Sequence, residues 1–114
     1  IAYRFVKGTK ATLGFTQFPA TCIIELDGVF SGPTNNFYRA VWKTLIDENI
    51  PHTFHWGKIF EADGPHIRRM YSDEKVNRWL MARKQVLGDD ATRKVFTNAL
   101  LRKWELDKEE GLAV

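Results

Sequence analysis

Two short runs near the start of the chain alternate bulky and polar side chains. Residues 1–7 do so up to a glycine, and residues 21–27 are rich in β-branched side chains and close on an Asp-Gly pair. A period of two is typical of β-strands, and glycine commonly ends such a run. The pattern therefore predicts two strands that pair antiparallel across the connection at 10–20.

Helical spacing replaces this alternation after residue 33. A stripe at i, i+3, i+4, i+7 and i+8 predicts an amphipathic helix that Thr34 or Asn35 caps and that ends before Pro51. The residues of the stripe are Phe37, Ala40, Val41, Thr44 and Leu45. Residues 52–59 then predict a third strand, with Phe54 and Trp56 on one face and His55 on the other.

Two more helices are expected after a break at 63–65. The first extends from a cap at Ser72 to a stop at Gly88, with Val76, Trp79, Leu80 and Leu87 in its stripe. The second begins near Asp90 and faces inward through Val95, Phe96, Ala99, Leu100 and Trp104. The polar tail at 105–114 is expected to fray.

This order of elements predicts an α+β fold in which helices cover an antiparallel sheet. The length suits one domain over residues 1–114. Sheets usually have more than three strands, and the chain starts without Met inside a predicted strand, so we expect further strands upstream.

Charge, hydropathy and cysteine content argue against some classes of function for this chain. Lys and Arg number 17 against 14 Asp and Glu, and they are interleaved with the acids, so no nucleic-acid partner is expected. No apolar run is long enough to span a membrane. The single cysteine, Cys22, lies in an apolar run and is expected to be a buried hydrophobe.

The string His55-Trp56-Gly57-Lys58 is the clearest candidate for a catalytic or binding site. Imidazole donates or accepts hydrogen bonds near neutral pH, and a lysine stabilises developing negative charge. The alternative is a histidine bonded within a mixed core beside a solvated lysine. A metal site is not expected, because His52 and His55 would point to opposite faces of a strand.

This string resembles the His-Trp-x-Lys motif of the aldonolactone and alditol oxidase group of FAD enzymes, in the vanillyl-alcohol-oxidase superfamily. Residues 95–101 resemble that group's Phe-x-Asn-x-x-Leu ending, and 4–8 resemble the strand that carries its Glu-x-Arg pair. The three motifs occur in the family's order over nearly the whole chain.

The resemblance implies a partial ferredoxin-like substrate domain, with FAD held mainly by a domain of the same protein that lies upstream. The substrate would be an alcohol or lactone, oxidised at a CH-OH group by hydride transfer to the flavin. Lys58 would lie near flavin and substrate, Asn98 near the cofactor, and Arg4 at the substrate. The isolated chain is expected to be inactive.

One position departs from this pattern. Ala2 stands where the group has glutamate, and Glu25 on the second strand is a candidate replacement. Together with the many aromatic residues, this keeps open a sterol substrate, as in type II cholesterol oxidases. A catalytically silent relative and a non-enzymatic ferredoxin-like binding module also stay open. A binding module would expose aromatic and basic residues on one sheet face.

Overall fold

A computed structural model describes residues 1–109. They form an α+β structure of two compact units, Ile1–Glu61 and the part from Ala62 onward. Within the described residues the elements are two antiparallel strands and five helices. In chain order these are β1 (Ala2–Lys7), β2 (Ala20–Glu25), α1 (Gly32–Asp47), α2 (Gly64–Tyr71), α3 (Asp73–Leu87), α4 (Asp90–Val95) and α5 (Ala99–Lys103).

The predicted strand pair is confirmed. β1 and β2 run antiparallel, with Ala2 opposite Glu25 and Lys7 opposite Ala20. Most residues of both strands are exposed, and Thr21 is the only buried one. The predicted third strand is wrong, because residues 52–59 form an irregular segment with a turn.

Helix α1 begins earlier than predicted. Ser31 caps it, since the Oγ of Ser31 accepts a hydrogen bond from the backbone N–H of Thr34 at 3.3 Å. Pro33 lies in the first turn, where the backbone N–H that proline lacks would have no partner within the helix. The covered face is also rotated from the predicted stripe. Phe37 is half exposed, and the half-buried aromatic and aliphatic residues are Tyr38, Val41, Trp42, Leu45 and Ile46.

In the second unit, α3 has the predicted bounds. Ser72 is its N-cap, Gly88 is its C-cap, and Val76 and Leu80 are buried. The predicted break at 63–65 is instead the start of α2, where the Oδ1 of Asp63 accepts from the N–H of His66 at 2.9 Å. An Asp followed by Gly-Pro thus caps a helix here.

The last predicted helix is divided in two. α4 ends at Val95, because its C-cap Phe96 has a ψ of 44°, which is not helical. Asn98 caps α5 by accepting from the N–H of Leu101 at 2.9 Å. The predicted inward face is wrong as well. Val95, Phe96 and Leu100 have exposed fractions of 75%, 61% and 54%.

The buried apolar side chains of the described residues all lie in the second unit. They are Ala62, Ile67, Met70, Tyr71, Val76, Leu80 and Leu106. The tail prediction is therefore wrong for 105–109, where Leu106 is buried and Thr97 donates to Asp107 at 3.1 Å. The rest of that predicted tail, 110–114, lies outside the described residues.

Candidate functional site

An ion pair joins the two strands near their open end. In an antiparallel pair, directly opposite residues share a face, so Ala2, Arg4, Ile23 and Glu25 lie on one face, here called the Arg4 face. The Nη2 of Arg4 donates to the Oε1 of Glu25 at 2.8 Å. Arg4 is opposite Ile23, so this contact is a diagonal one, which long side chains can span.

A hollow of about 170 Å³ adjoins the pair. It is lined by Ala2, Tyr3, Arg4, Ile23 and Glu25. The side chains of Arg4 and Glu25 are 66% and 47% exposed, so a ligand can reach both. A guanidinium carries five N–H donors and a carboxylate two acceptor oxygens, so the pair can bind further polar groups.

The opposite sheet face is apolar and exposed. Tyr3, Phe5, Cys22 and Ile24 define this Tyr3 face, where Phe5 is opposite Cys22 and Tyr3 is opposite Ile24. Tyr3 and Phe5 are each 71% exposed, and their ring centroids lie 6.3 Å apart. The prediction that Cys22 is buried is wrong, because the thiol shares this exposed face.

His55 and Lys58 lie in one turn of the first unit. The backbone N–H of Lys58 donates to the carbonyl of His55, and that of Gly57 donates to His55 Nδ1, each at 3.0 Å. Because Nδ1 accepts, the hydrogen of the neutral ring is on Nε2. The imidazole also packs on Phe15, with ring centroids 4.7 Å apart.

Hydrogen bonds from side chains explain why 52–59 does not form a strand. The Nε1 of Trp56 donates to the carbonyl of Leu13 at 2.8 Å, and the hydroxyl of Thr53 donates to the carbonyl of Phe15. Both acceptors lie in the β1–β2 connection. The segment is therefore fixed by its side chains, and the strand alternation that separated His55 from Trp56 does not apply.

A group of half-buried aromatic rings extends from α1 to this segment. Trp42 contacts Phe54 with centroids 6.2 Å apart, Phe54 stacks on Phe60 at 5.0 Å, and Trp56 meets Phe60 edge-on at 6.1 Å. We call these four residues the aromatic group. Sequence reasoning missed it, although the dense Trp and Phe content on both sides of Pro51 indicated it.

The predicted site residues thus fall into three places. Arg4 and Glu25 are in contact, and His55 and Lys58 share the turn, with both side chains exposed. Asn98 belongs to the second unit, where its side-chain oxygen caps α5.

Residues 1–109 contain no cluster of three or more metal-ligating side chains. In the same range, no helix combines the length and apolarity needed to cross a membrane. Comparison with known proteins found no matching family model, no matching curated protein and no matching solved structure.

Proposed function

We propose that this chain is the substrate-side part of an FAD-dependent oxidoreductase that oxidises a CH-OH group of a sugar alcohol or aldonolactone. The observation that carries the proposal is the Arg4–Glu25 pair beside a hollow. Arg4 is the residue that the motif resemblance assigns to the substrate. The FAD is held mainly by another domain of the same protein.

The surroundings of Lys58 suit a flavin. Its side chain is exposed, and it follows His55 and Trp56 in a turn that continues into the aromatic group. Planar apolar rings and a cation complement a planar ring system that gains negative charge. The oxygen of Asn98 is already engaged as a helix cap, so the assignment of Asn98 to the cofactor stays a prediction.

Each residue then has a definite task. Arg4 donates to a substrate oxygen and Glu25 accepts from a substrate hydroxyl. The ammonium of Lys58 would stabilise the negative charge of the reduced flavin. When bound, FAD would supply the hydride acceptor, and the proton of the oxidised hydroxyl would pass to water.

The charge at the hollow favours a polar substrate over a sterol. A guanidinium and a carboxylate are desolvated at a cost unless the ligand hydrogen-bonds to them, and a steroid skeleton offers few such groups. A sugar alcohol or lactone offers them at every carbon. A sterol is therefore the weaker candidate.

A binding module is the second candidate, and the Tyr3 face supports it. Two neighbouring aromatic side chains on one strand, each 71% exposed, form a stacking surface that an enzyme fold would ordinarily cover. Measurement of bound flavin separates this function from the first.

The test begins with the coding sequence upstream of Ile1. The protein encoded by the complete reading frame is expressed, its bound flavin is measured by absorbance, and its anaerobic reduction by alditols and aldonolactones is followed. We expect a bound flavin and a Lys58→Ala variant whose flavin is reduced about 100-fold more slowly, as for loss of one preorganised charge-stabilising group.

Lys10→Ala is the matched control, because Lys10 is an exposed lysine of the same unit. It should retain the wild-type rate. A flavin-free protein would refute the oxidoreductase proposal, and equal rates for the Lys58 and Lys10 variants would refute the role given to Lys58. A flavin-free protein would leave the binding module as the better explanation.

A further inference from the structure

Three large apolar side chains are exposed where α4 ends and α5 begins. Val95 is the last residue of α4, Phe96 follows it, and Leu100 lies in the first turn of α5. Each of them is more than half exposed. We call these three residues the apolar corner. Exposed apolar residues that are scattered singly need no explanation, but three within six residues indicate a surface that binds something.

Polar contacts fix the backbone of the apolar corner. The Nη2 of Arg83 in α3 donates to the carbonyl of Arg93 at 3.1 Å and to that of Phe96 at 2.9 Å. On the other side of Phe96, the hydroxyl of Thr97 donates to Asp107. The corner is therefore a built part of the second unit, and its apolar side chains are exposed on a backbone that is held in place.

Positive charge predominates in the sequence around the apolar corner. From residue 83 to residue 104 the chain has six Lys and Arg and two acidic residues, Asp89 and Asp90. Both acids lie at the start of α4, where Asp89 is the N-cap and Asp90 forms an ion pair with Lys94 at 2.6 Å. The cations of α5 have no such partners in this stretch.

These cations are Arg102 and Lys103. Both are exposed, and neither forms an ion pair within residues 1–109. Residues three apart on a helix are neighbours, so Lys103 lies on the same side of α5 as Leu100. An anionic partner that covers the apolar corner would therefore meet unpaired positive charge beside it.

We propose that the apolar corner, together with Arg102 and Lys103, binds the surface of an anionic lipid membrane. Apolar side chains that protrude this far can enter a soft interface, whereas a protein partner would need a matching pocket for each of them. Lysine and arginine beside exposed Phe and Leu are typical of surfaces that lie in the headgroup region. Binding of this kind requires no helix that crosses the membrane, and it is independent of the flavin.

The chain offers a matched control for the apolar side chains. The same Val-Phe pair occurs in the first unit as Val29 and Phe30, which are even more exposed. Residues 11–38 include no Lys or Arg, and Glu25 and Asp27 precede the pair. An anionic surface attracts cations and would not attract this second pair.

The experiment measures sedimentation of the protein encoded by the complete reading frame with lipid vesicles. One set is phosphatidylcholine alone, and the other is phosphatidylcholine and phosphatidylserine in equal parts. The wild type should bind the second set and not the first, and sodium chloride should release it. Arg102→Gln/Lys103→Gln should weaken binding about 30-fold, because each cation near an anionic surface contributes about a factor of five.

Val95→Ser/Phe96→Ser should weaken binding about tenfold, since less apolar surface leaves water. Val29→Ser/Phe30→Ser should bind like the wild type. Lys7→Gln/Lys10→Gln should as well, because it removes two exposed cations of the first unit. All these substitutions are at exposed positions, so every variant should fold, and circular dichroism verifies this.

Three results would overturn the proposal. The first is a wild type that does not sediment with the phosphatidylserine vesicles, and the second is an equal loss of binding in the corner variants and their controls. The third is binding to polyglutamate without binding to the vesicles, which would assign the apolar corner to an acidic protein partner. None of these results depends on whether the protein contains flavin, so the proposed function is tested separately.

Discussion

Single residues in unusual backbone conformations connect the helices of the second unit. Ser72 has φ 77° and ψ 153°, a region that glycine adopts and other residues rarely do. Its N–H donates to the carbonyl of Arg68 at the end of α2, and its Oγ accepts weakly from the N–H of Lys75 at the start of α3. One residue therefore ends one helix and begins the next.

Ser72→Gly should stabilise the protein by about 1 kcal/mol. Relief of the backbone strain should stabilise the fold by more than two opposing effects together. These are the loss of roughly a few tenths of a kcal/mol when glycine replaces a serine cap, and the greater conformational entropy of glycine in the unfolded chain. Ser31→Gly is the control, because Ser31 caps α1 with an extended φ of −159° and has no strain to relieve. Chemical denaturation measures the free energy of unfolding of both variants. A loss of stability in Ser72→Gly as large as in Ser31→Gly would contradict the presence of backbone strain at Ser72.

The neighbouring positions of Arg4 and Glu25 could be predicted from the sequence, because two short strands joined by one connection have few registers. The exposure of Cys22 could not. An apolar run indicates burial without saying which face is covered, and the Tyr3 face is open in the described structure. The Trp and Phe content around Pro51 indicated the aromatic group, but its contacts could not be predicted, because they join residues from different segments.

At the scale of elements, the sequence predicts the features that depend on local signals. It does not predict those that depend on contacts between distant segments. The bounds of α3 follow from Ser72 and Gly88, which act within one turn. In α1, Phe37 and Tyr38 are adjacent aromatics, so the periodicity allows two registers, and packing of Trp42 on Phe54 selects one of them. The 52–59 segment alternates like a strand, but Trp56 and Thr53 are held by another part of the chain.

The division between α4 and α5 had a local signal that the helical stripe concealed. Asn98 is a favoured N-cap residue and precedes an Ala-Leu-Leu run, a typical helix start. The short helix α4 is in turn defined by charged groups at its start. Asp89 caps it, with Oδ1 accepting from the N–H of Thr92 at 2.8 Å.

Helix α4 should lose stability in acid. The hydrogen bond from the Thr92 backbone, followed by that from the Thr92 hydroxyl, lowers the pKa of Asp89. The bond from Lys94 chiefly lowers the pKa of Asp90. A lowered native pKa contributes stability that is present above the unfolded pKa and is lost as pH falls through the native pKa.

NMR titration of the carboxyl groups, with the Cα shifts of residues 91–95, measures this effect. The titration midpoints of both aspartates should lie below the usual Asp value, and helicity should decrease as they are protonated. In the Asp89→Asn/Asp90→Asn variant the amide at 89 still accepts from Thr92, so α4 should lose most of its pH dependence in the acid range. An unchanged acid transition in that variant would assign the transition to other groups.

At the scale of the whole molecule, the buried core and all candidate site residues except Asn98 are in different units. Ile67, Tyr71 and Val76 are at most 2% exposed, and all three lie in the second unit. The first unit carries Arg4, Glu25, His55 and Lys58 on a strand pair and a turn, and none of its apolar side chains is fully buried. The α+β class followed from the order of elements. The placement of the core did not, because both halves of the chain are rich in apolar residues.

This division predicts which substitutions affect the core. Ile67→Ala should lower the free energy of unfolding sensed by α3 by about 2–5 kcal/mol, the cost of an unfilled cavity at a fully buried site. Ile59→Ala is the matched control, because that isoleucine is 68% exposed and its loss should change the same quantity by less than about 0.5 kcal/mol.

Native-state hydrogen exchange of the α3 amides measures the effect of each substitution on the stability of this helix. The amides of Val76 and Leu80 should be among the best protected, since they belong to the buried face of a helix packed on α2. Their protection should fall sharply in Ile67→Ala and stay constant in Ile59→Ala. Equal protection in the two variants would mean that the buried side chains of 62–109 do not form the stabilising core.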